Sequence, residues 1–243
     1  MFHYIRVFTL VFLTSVSPLL VSAAALASDS LPKHIQANYQ VTKNGQPFAN
    51  VRELFVLTGD MYKLESTTKG IGVYALFGER QLSSQGEVTS LGLKPKHFEL
   101  HQGDSAKKTL IADFDWLNNT LHMLVKGVVK DAPLVAGAQD LASYAYQFMY
   151  LPKPLKNTVA VTMTTGKKLN QYEYKVSNTQ DALEIAGKSY KTVHLSQMDK
   201  DATKTDTKEL WLSVEHHYLP VRIVMVDDNG KKLEQTLTEL HVE

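Results

Sequence analysis

A chain of 243 residues, 44% of them apolar and with a formal net charge of +1, is long enough to bury a substantial core without cross-links. So small a net charge argues against nucleic acid or an anionic bilayer as a bulk electrostatic partner. The absence of cysteine excludes thiolate zinc, thiol redox chemistry and a disulfide scaffold, and it removes the residue that a bacterial lipoprotein would acylate.

Arg6 precedes an apolar run from Val7 to Val21, and Ala23-Ala24-Ala25-Leu26-Ala27 closes with Ala-x-Ala before Ser28. That is the layout of a cleaved secretory signal peptide. The run is shorter than the roughly 20 residues of a membrane-spanning helix and is broken by Thr14, Ser15 and Pro18. The expectation is a signal peptide over residues 1–27 and a single β-rich exported domain over 28–243. It would be soluble in the periplasm, with no transmembrane anchor after cleavage and not a lipoprotein.

After Ser28 the pattern is strand upon strand. Ile35, Ala37, Tyr39 and Val41 alternate and run into Asn44-Gly45, a strong hairpin signal, with a return strand from Phe48 to Leu57. Thr58-Gly59-Asp60 turns into Met61 to Thr68, where Tyr62, Leu64 and Ser66 share one face. Gly70 to Glu79 mixes glycines with Ile71, Val73, Tyr74, Leu76 and Phe77; it reads either as a buried strand with a bulge or as an apolar lip. Strands follow at Gln81 to Val88, Lys96 to His101, Thr109 to Trp116 and Thr120 to Val125.

One main helix is predicted over about residues 139–151. Asp140 would cap it, Leu141, Tyr144, Ala145, Phe148 and Met149 recur at helical spacing, and Pro152 and Pro154 end it. From Val159 the strand pattern resumes, with turns at Ala186-Gly187 and Asp228-Asn229-Gly230. Short strands at about ten-residue intervals predict a mostly β fold, an antiparallel sheet curled into a barrel or half-barrel.

Several segments in order along the chain carry a family resemblance: Tyr39-x-x-x-x-Asn44-Gly45, Leu91-Gly92-Leu93-x-Pro95-x-x-Phe98, Asp113-x-Asp115-Trp116, Gln139-Asp140-Leu141-Ala142-Ser143, and Glu209-Leu210-Trp211-Leu212 followed by Tyr218-Leu219-Pro220-Val221-Arg222. The chain resembles the bacterial exported family catalogued as domain of unknown function 3108. That resemblance implies a periplasmic, mostly β protein and supplies no catalytic residues. The architecture is also similar to the half-barrel lipoprotein carriers of the bacterial envelope, an analogy of fold that does not establish a shared ligand.

No catalytic signature emerges. The neighbouring His216 and His217 would point to opposite faces of a strand and read as a hairpin tip. His97 and His101 share a face on which Glu99 could meet them, but a complete metal-ligand set is not evident. Asp113 and Asp115 flank Phe114 as solvent-facing acids, without the cleft that a carboxylate pair needs to work on a glycosidic bond. Asp199, Asp201 and Asp206 lack the glycine and terminal Glu of a calcium loop. Gly103-Asp104-Ser105 is no nucleophile elbow, and Gly166-Lys167 lacks the rest of a phosphate loop. No catalytic residue, metal or cofactor is therefore expected.

The aromatic side chains remain. Tyr74, Phe77, Phe98, Trp116, Tyr144, Phe148 and Trp211 are the candidate ligand-binding residues, enough to line a partly hollow, curled sheet. The favoured function is a non-enzymatic periplasmic binding or carrier protein whose apolar concavity takes a lipid, an acyl chain or a hydrophobic protein segment. Gly70 to Phe77 and Leu141 to Tyr150 would gate it. One alternative is a partner-binding envelope module with a filled core, acting through a sheet edge or the Asp199 to Lys208 loop; another is a hydrolase of envelope polymers using Asp113 and Asp115. An extended hollow would favour the carrier, and a filled interior would remove it.

Overall fold

The computed structural model describes residues 31–103, 108–198 and 207–243. The expected signal peptide, Asp104-Ser105 and the acidic stretch 199–206 lie outside the described residues. The strands are β1 (His34–Lys43), β2 (Gln46–Thr58), β3 (Met61–Gly70), β4 (Arg80–Thr89), β5 (Gly92–Gln102), β6 (Leu110–Asp115), β7 (Thr120–Val125), β8 (Val128–Pro133), β9 (Gln139–Asp140), β10 (Thr158–Thr164), β11 (Leu169–Ile185), β12 (Lys188–Met198), β13 (Thr207–Ser213), β14 (Leu219–Val226) and β15 (Lys232–Val242). They form one sheet in the order β8-β7-β6-β5-β4-β3-β2-β1-β15-β14-β13-β12-β11-β10-β9.

The order follows from local chemistry. Two-residue turns at Asn44-Gly45, Lys126-Gly127 and Ala186-Gly187 all have positive φ at both positions, the geometry whose twist matches flanking antiparallel strands. Each strand therefore pairs with its sequence neighbours, except that β8 and β9 stand at opposite ends of the sheet. The first and last strands pair as well, with Ile35 opposite Val242, so the chain makes two meanders that run outward from a shared centre. Every pairing is antiparallel except that of β9 with β10. The sheet ends at β8 and β9 and does not close, which corrects the expectation of a barrel; its shifts of register at Asn38/Tyr39, Gln85/Gly86 and Trp211/Leu212 are bends of the bulge kind.

Alternation decides the inner face. On β1 Ile35, Ala37, Tyr39 and Val41 are buried while the intervening residues are not. One core cluster gathers Phe55, Leu64, Leu82, Phe98, Leu110 and Leu121 from the first meander. A second gathers Val161, Tyr174, Leu195, Leu210 and Leu212 from the other. A third, with Tyr39, Val51, Ile185, Tyr190, Val221 and Leu237, packs the far end of the β11–β12 hairpin near the central strands.

The predicted helix is replaced by a plug. Gln139 and Asp140 form the short strand β9, residues 141–145 are turns, and only Tyr146–Met149 is helical, as a 3₁₀ turn. Asp140 does cap: its Oδ1 accepts from the backbone N–H groups of Ala142 and Ser143 at 2.9 and 2.8 Å. The helix fails to propagate because the segment has no solvent side. Gln139, Asp140, Ala142, Ser143 and every residue from Tyr144 to Met149 are buried, so apolar spacing no longer selects one face. Tyr146 and Met149 fill the first cluster, while Tyr144, Ala145 and Phe148 fill the second.

Gly70 to Glu79 resolves as the lip. A 3₁₀ helix spans Gly72–Phe77 with no buried residue, correcting the alternative of a buried strand. Gly70 makes the return possible, since a Cβ there would lie 2.3 Å from the carbonyl oxygen of Tyr74.

Candidate functional site

Two carboxylates sit among tyrosines and serines at the plug, Asp140 fully buried and Glu53 half-buried. Ser84 Oγ donates to Asp140 Oδ2 at 2.5 Å, which leaves the Tyr62 hydroxyl to donate to Ser84 at 3.0 Å. Tyr146 donates to Glu53 Oε2 at 3.0 Å and Ser66 to Glu53 Oε1 at 3.4 Å. Burial raises Glu53 to about 7 and Asp140 to about 6, although these hydrogen bonds pull the other way. Gln147 completes the anchoring: its Oε1 accepts from Leu93 N–H at 2.8 Å and its Nε2 donates to the Leu91 carbonyl at 2.9 Å. Such contacts pin the plug to β2, β4 and β5, and the expected hollow is occupied by the chain itself.

The candidate aromatics are accordingly dispersed. Phe98 is in the first cluster, Tyr144 and Phe148 are in the second, and all three are buried. Trp116 is half-buried, stacked on Phe114 at 5.9 Å between ring centroids, with its Nε1 donating to the Pro95 carbonyl at 2.6 Å. Trp211 lies beside the third cluster between the His194 ring at 4.4 Å and the Arg222 guanidinium at 4.9 Å. Only Tyr74 and Phe77 come together at an accessible place, the lip, where Tyr74 also meets the Phe48 ring edge-on at 4.6 Å.

The histidines form a ladder on the outer face of β5 and β6. His97 sits between Asp113 Oδ1 at 2.6 Å and Glu99 Oε1 at 2.9 Å, and Glu99 Oε2 meets His101 Nε2 at 2.8 Å. Burial lowers the His97 pKa, but the Asp113 and Glu99 contacts outweigh it and leave the imidazole raised. Three of the ladder's ring nitrogens face carboxylates and the fourth, His101 Nδ1, lies 3.2 Å from Thr109 Oγ1, so the ladder is a hydrogen-bonded chain; among the described residues no group of side chains could hold a metal ion. His216 belongs to the β13–β14 turn as expected, its Nδ1 2.9 Å from Ser213 Oγ.

The accessible site is where the first meander's inner face reaches solvent. Arg80 pairs with Gln102, Leu100 with Leu110, and Leu110 with Val125, a row that continues the core outward. Leu141 comes from the plug and Lys167 from the β10–β11 turn, which packs so closely that a Cβ on Gly166 would meet Leu110 Cβ at 2.9 Å. The result is a cleft of about 460 Å³ with Leu100, Leu110, Val125 and Leu141 as its floor and Arg80, Lys108, Lys126 and Lys167 around it. Among the described residues no carboxylate lines it. Burial pulls the Arg80 guanidinium below its ordinary pKa.

The lip adjoins this cleft. A second depression, of about 560 Å³, runs from Leu76 and Phe77 to Gln102 and Lys108, which line both. Gln102 Nε2 donates to the Phe77 carbonyl at 3.3 Å. Val73, Leu76 and Phe77 are 72%, 87% and 68% exposed, an apolar projection that folding leaves unburied. A further cleft of about 520 Å³ between Lys43, Lys208, Lys231 and Phe48, Tyr172, Leu233 includes Asp227 and is mixed in charge. Sequence reasoning offered the lip as one of two readings of Gly70 to Glu79 and missed the four cations, because each comes from a different turn or strand and none belongs to a motif.

Fold and site thus define a plugged, open antiparallel β-sheet protein with an amphipathic surface cleft beside an exposed apolar lip. The chain belongs to the family described as Protein of unknown function (DUF3108), which matches residues 36–238. No curated protein matches it. Among solved structures, a protein of Parabacteroides distasonis described as a "putative lipoprotein" is similar at 9% identity with a TM-score of 0.36, over 87% of this chain and 97% of that one; so distant a likeness carries no argument about either fold or ligand. No helix among the described residues is long and apolar enough to cross a membrane.

Proposed function

We propose that this chain is an exported, non-catalytic binding module of the cell envelope that holds a hydrophobic group of its ligand at the lip-and-cleft surface. The observation that carries this reading is the distribution of apolar surface. The plug occupies the interior with Tyr146, Phe148 and Met149, while Val73, Leu76 and Phe77 project beside an apolar-floored cleft. Roughly 25 cal/mol per Å² of apolar surface covered supplies the driving force. The sequence-level carrier therefore becomes a surface binder, and the filled core supports a module over a container.

The test is native mass spectrometry of the protein purified gently from the periplasm, beside the double variant Leu76→Asp with Phe77→Asp. The wild type is expected to carry an envelope component and the variant to be bare, with equal far-UV circular dichroism. A wild type that stays bare even after incubation with envelope lipids and envelope extract would overturn the reading. A bound protein segment, in place of a lipid, would select the partner-binding form of the module.

A further inference from the structure

The cleft beside the lip has a composition that selects a ligand class. Its floor is aliphatic and its surround is cationic, with Arg80, Lys108, Lys126 and Lys167 contributed by four separate places in the chain and no carboxylate among the described lining residues. Some cations elsewhere on this protein have a carboxylate partner: Lys69 with Glu79 at 2.8 Å, Arg222 with Glu234 at 2.6 Å, Lys232 with Glu234 at 2.8 Å. Four cations with no carboxylate among the described lining residues are a local concentration of positive charge in a molecule of net charge +1. It is also costly for Arg80, which stands on the inner face in line with Leu82 and is half-buried, since a guanidinium removed from water loses solvation that only a counter-charge restores.

We propose that this cleft is a binding site for an anionic amphiphile, a single carboxylate or phosphate head bearing an acyl chain. The inference rests on the binding-module reading above and names its ligand. The head sits among Arg80, Lys108, Lys126 and Lys167, where a guanidinium offers paired donors to a carboxylate or phosphate and the lysines add point charge. The chain lies over Leu100, Leu110, Val125 and Leu141 and leaves the cleft past Gln102 toward Leu76 and Phe77, which line the adjoining depression. A volume of about 460 Å³ falls within the range of small-molecule sites. A purely ionic ligand would leave the apolar floor unused, and a purely apolar one would bury the cations without a partner. Only a molecule with both parts satisfies the two surfaces at once.

The experiment is isothermal titration of the purified protein, below micelle-forming concentrations, with dodecanoate, dodecyl phosphate, dodecyl maltoside, dodecyltrimethylammonium and inorganic phosphate. One or both anionic amphiphiles are expected to bind at least about tenfold more tightly than the neutral and cationic ones of equal chain length, and inorganic phosphate alone to show no heat of binding. Comparing dodecanoate with dodecyl phosphate tells a fatty acid from a phosphate-headed lipid. Lys126→Glu with Lys167→Glu, at two exposed turn positions, should remove the preference for the anion, whereas Lys156→Glu with Lys191→Glu, the same change of charge outside the cleft, should keep it. Added salt should weaken the anionic amphiphile more than the neutral one in the wild type, a readout that needs no variant.

Equal binding of all head groups, or an anion preference that survives Lys126→Glu with Lys167→Glu, would overturn the proposal. So would the absence of binding by every amphiphile. If the protein nevertheless carries an envelope component that Leu76→Asp with Phe77→Asp removes, the module reading stands and this assignment alone falls; if both experiments are blank, both fall.

Discussion

The plug and the lip are two short segments that each contain a 3₁₀ turn, and they have opposite fates. Both mix glycine or small residues with aromatics, and both contain a 3₁₀ turn, Tyr146–Met149 in one and Gly72–Phe77 in the other. In the plug all four residues of that turn are buried, and in the lip none is. The plug carries Gln139, Asp140 and Gln147 to meet polar groups of the strands around it, and Ser143 Oγ accepts from the Asp140 N–H within the plug, whereas the lip's 3₁₀ turn is Gly-Val-Tyr-Ala-Leu-Phe. A segment that enters a core must bring hydrogen-bonding partners with it; one that stays outside can present apolar surface alone. Stability is concentrated in the first and recognition in the second.

Breaking the plug should have the largest effect. Phe148→Ala removes a ring that is 1% exposed and is expected to lower the free energy of unfolding by about 3–5 kcal/mol in a denaturant titration. A loss near 1 kcal/mol would mean that the second cluster repacks and that the plug is less integral than its burial implies. Next comes Gly92→Ala. Gly92 has φ +99°, and a Cβ would come within 2.4 Å of the Gln147 side chain that anchors the plug; about 2 kcal/mol should be lost, with Gln147→Ala in the same background recovering none of the lost anchoring.

Glu53 sharpens the comparison through pH. Its carboxyl is raised to about 7 from an ordinary 4.5 because it is desolvated where Tyr146 of the plug meets it, near Tyr39 and Tyr144. The folded protein holds that proton over a range in which the unfolded chain has released it, so Glu53 makes stability fall as pH rises from about 4.5 through about 7. Glu53→Gln should leave stability almost unchanged at pH 4 and raise it at pH 8 by about 1–3 kcal/mol, flattening the curve of Tm against pH. An equal effect at both pH values would show that packing, and not titration, governs this position.

The lip should show the smallest effect on stability. Leu76→Asp with Phe77→Asp, at 87% and 68% exposure, is expected to move the free energy of unfolding by no more than about 0.5 kcal/mol, while abolishing the ligand binding proposed for this surface. Destabilisation by several kcal/mol would make the lip part of the core after all and dissolve the contrast.

Much of the sheet was legible beforehand. Alternation in Ile35, Ala37, Tyr39 and Val41 identified the inner face of β1, and Asn44-Gly45 and Ala186-Gly187 announced their hairpins, because strand period and turn stereochemistry are local properties. The edge strand β8 was missed: its Val128, Val129, Lys130 and Asp131 are exposed, and an edge with no buried face shows no alternation to read. The site was less legible. Tyr74 and Phe77 were found as a pair on the lip, but Phe98, Tyr144 and Phe148 went into two cores, and Trp211 into a stack with His194 and Arg222. An aromatic residue in a strand pattern carries no mark of whether it fills a core or lines a cavity.

By itself, then, the sequence determined the class of fold, the meander order and the family, since each depends on residues a few places apart or on their order along the chain. Tertiary structure alone decided that the sheet stays open, that Gln139 to Met149 fills it as a plug, and that Arg80, Lys108, Lys126 and Lys167 share one cleft. Those outcomes depend on which groups meet across long stretches of chain. Burial on all sides overrides helical periodicity, and a cluster assembled from four separate turns and strands has no spacing for a linear pattern to reveal.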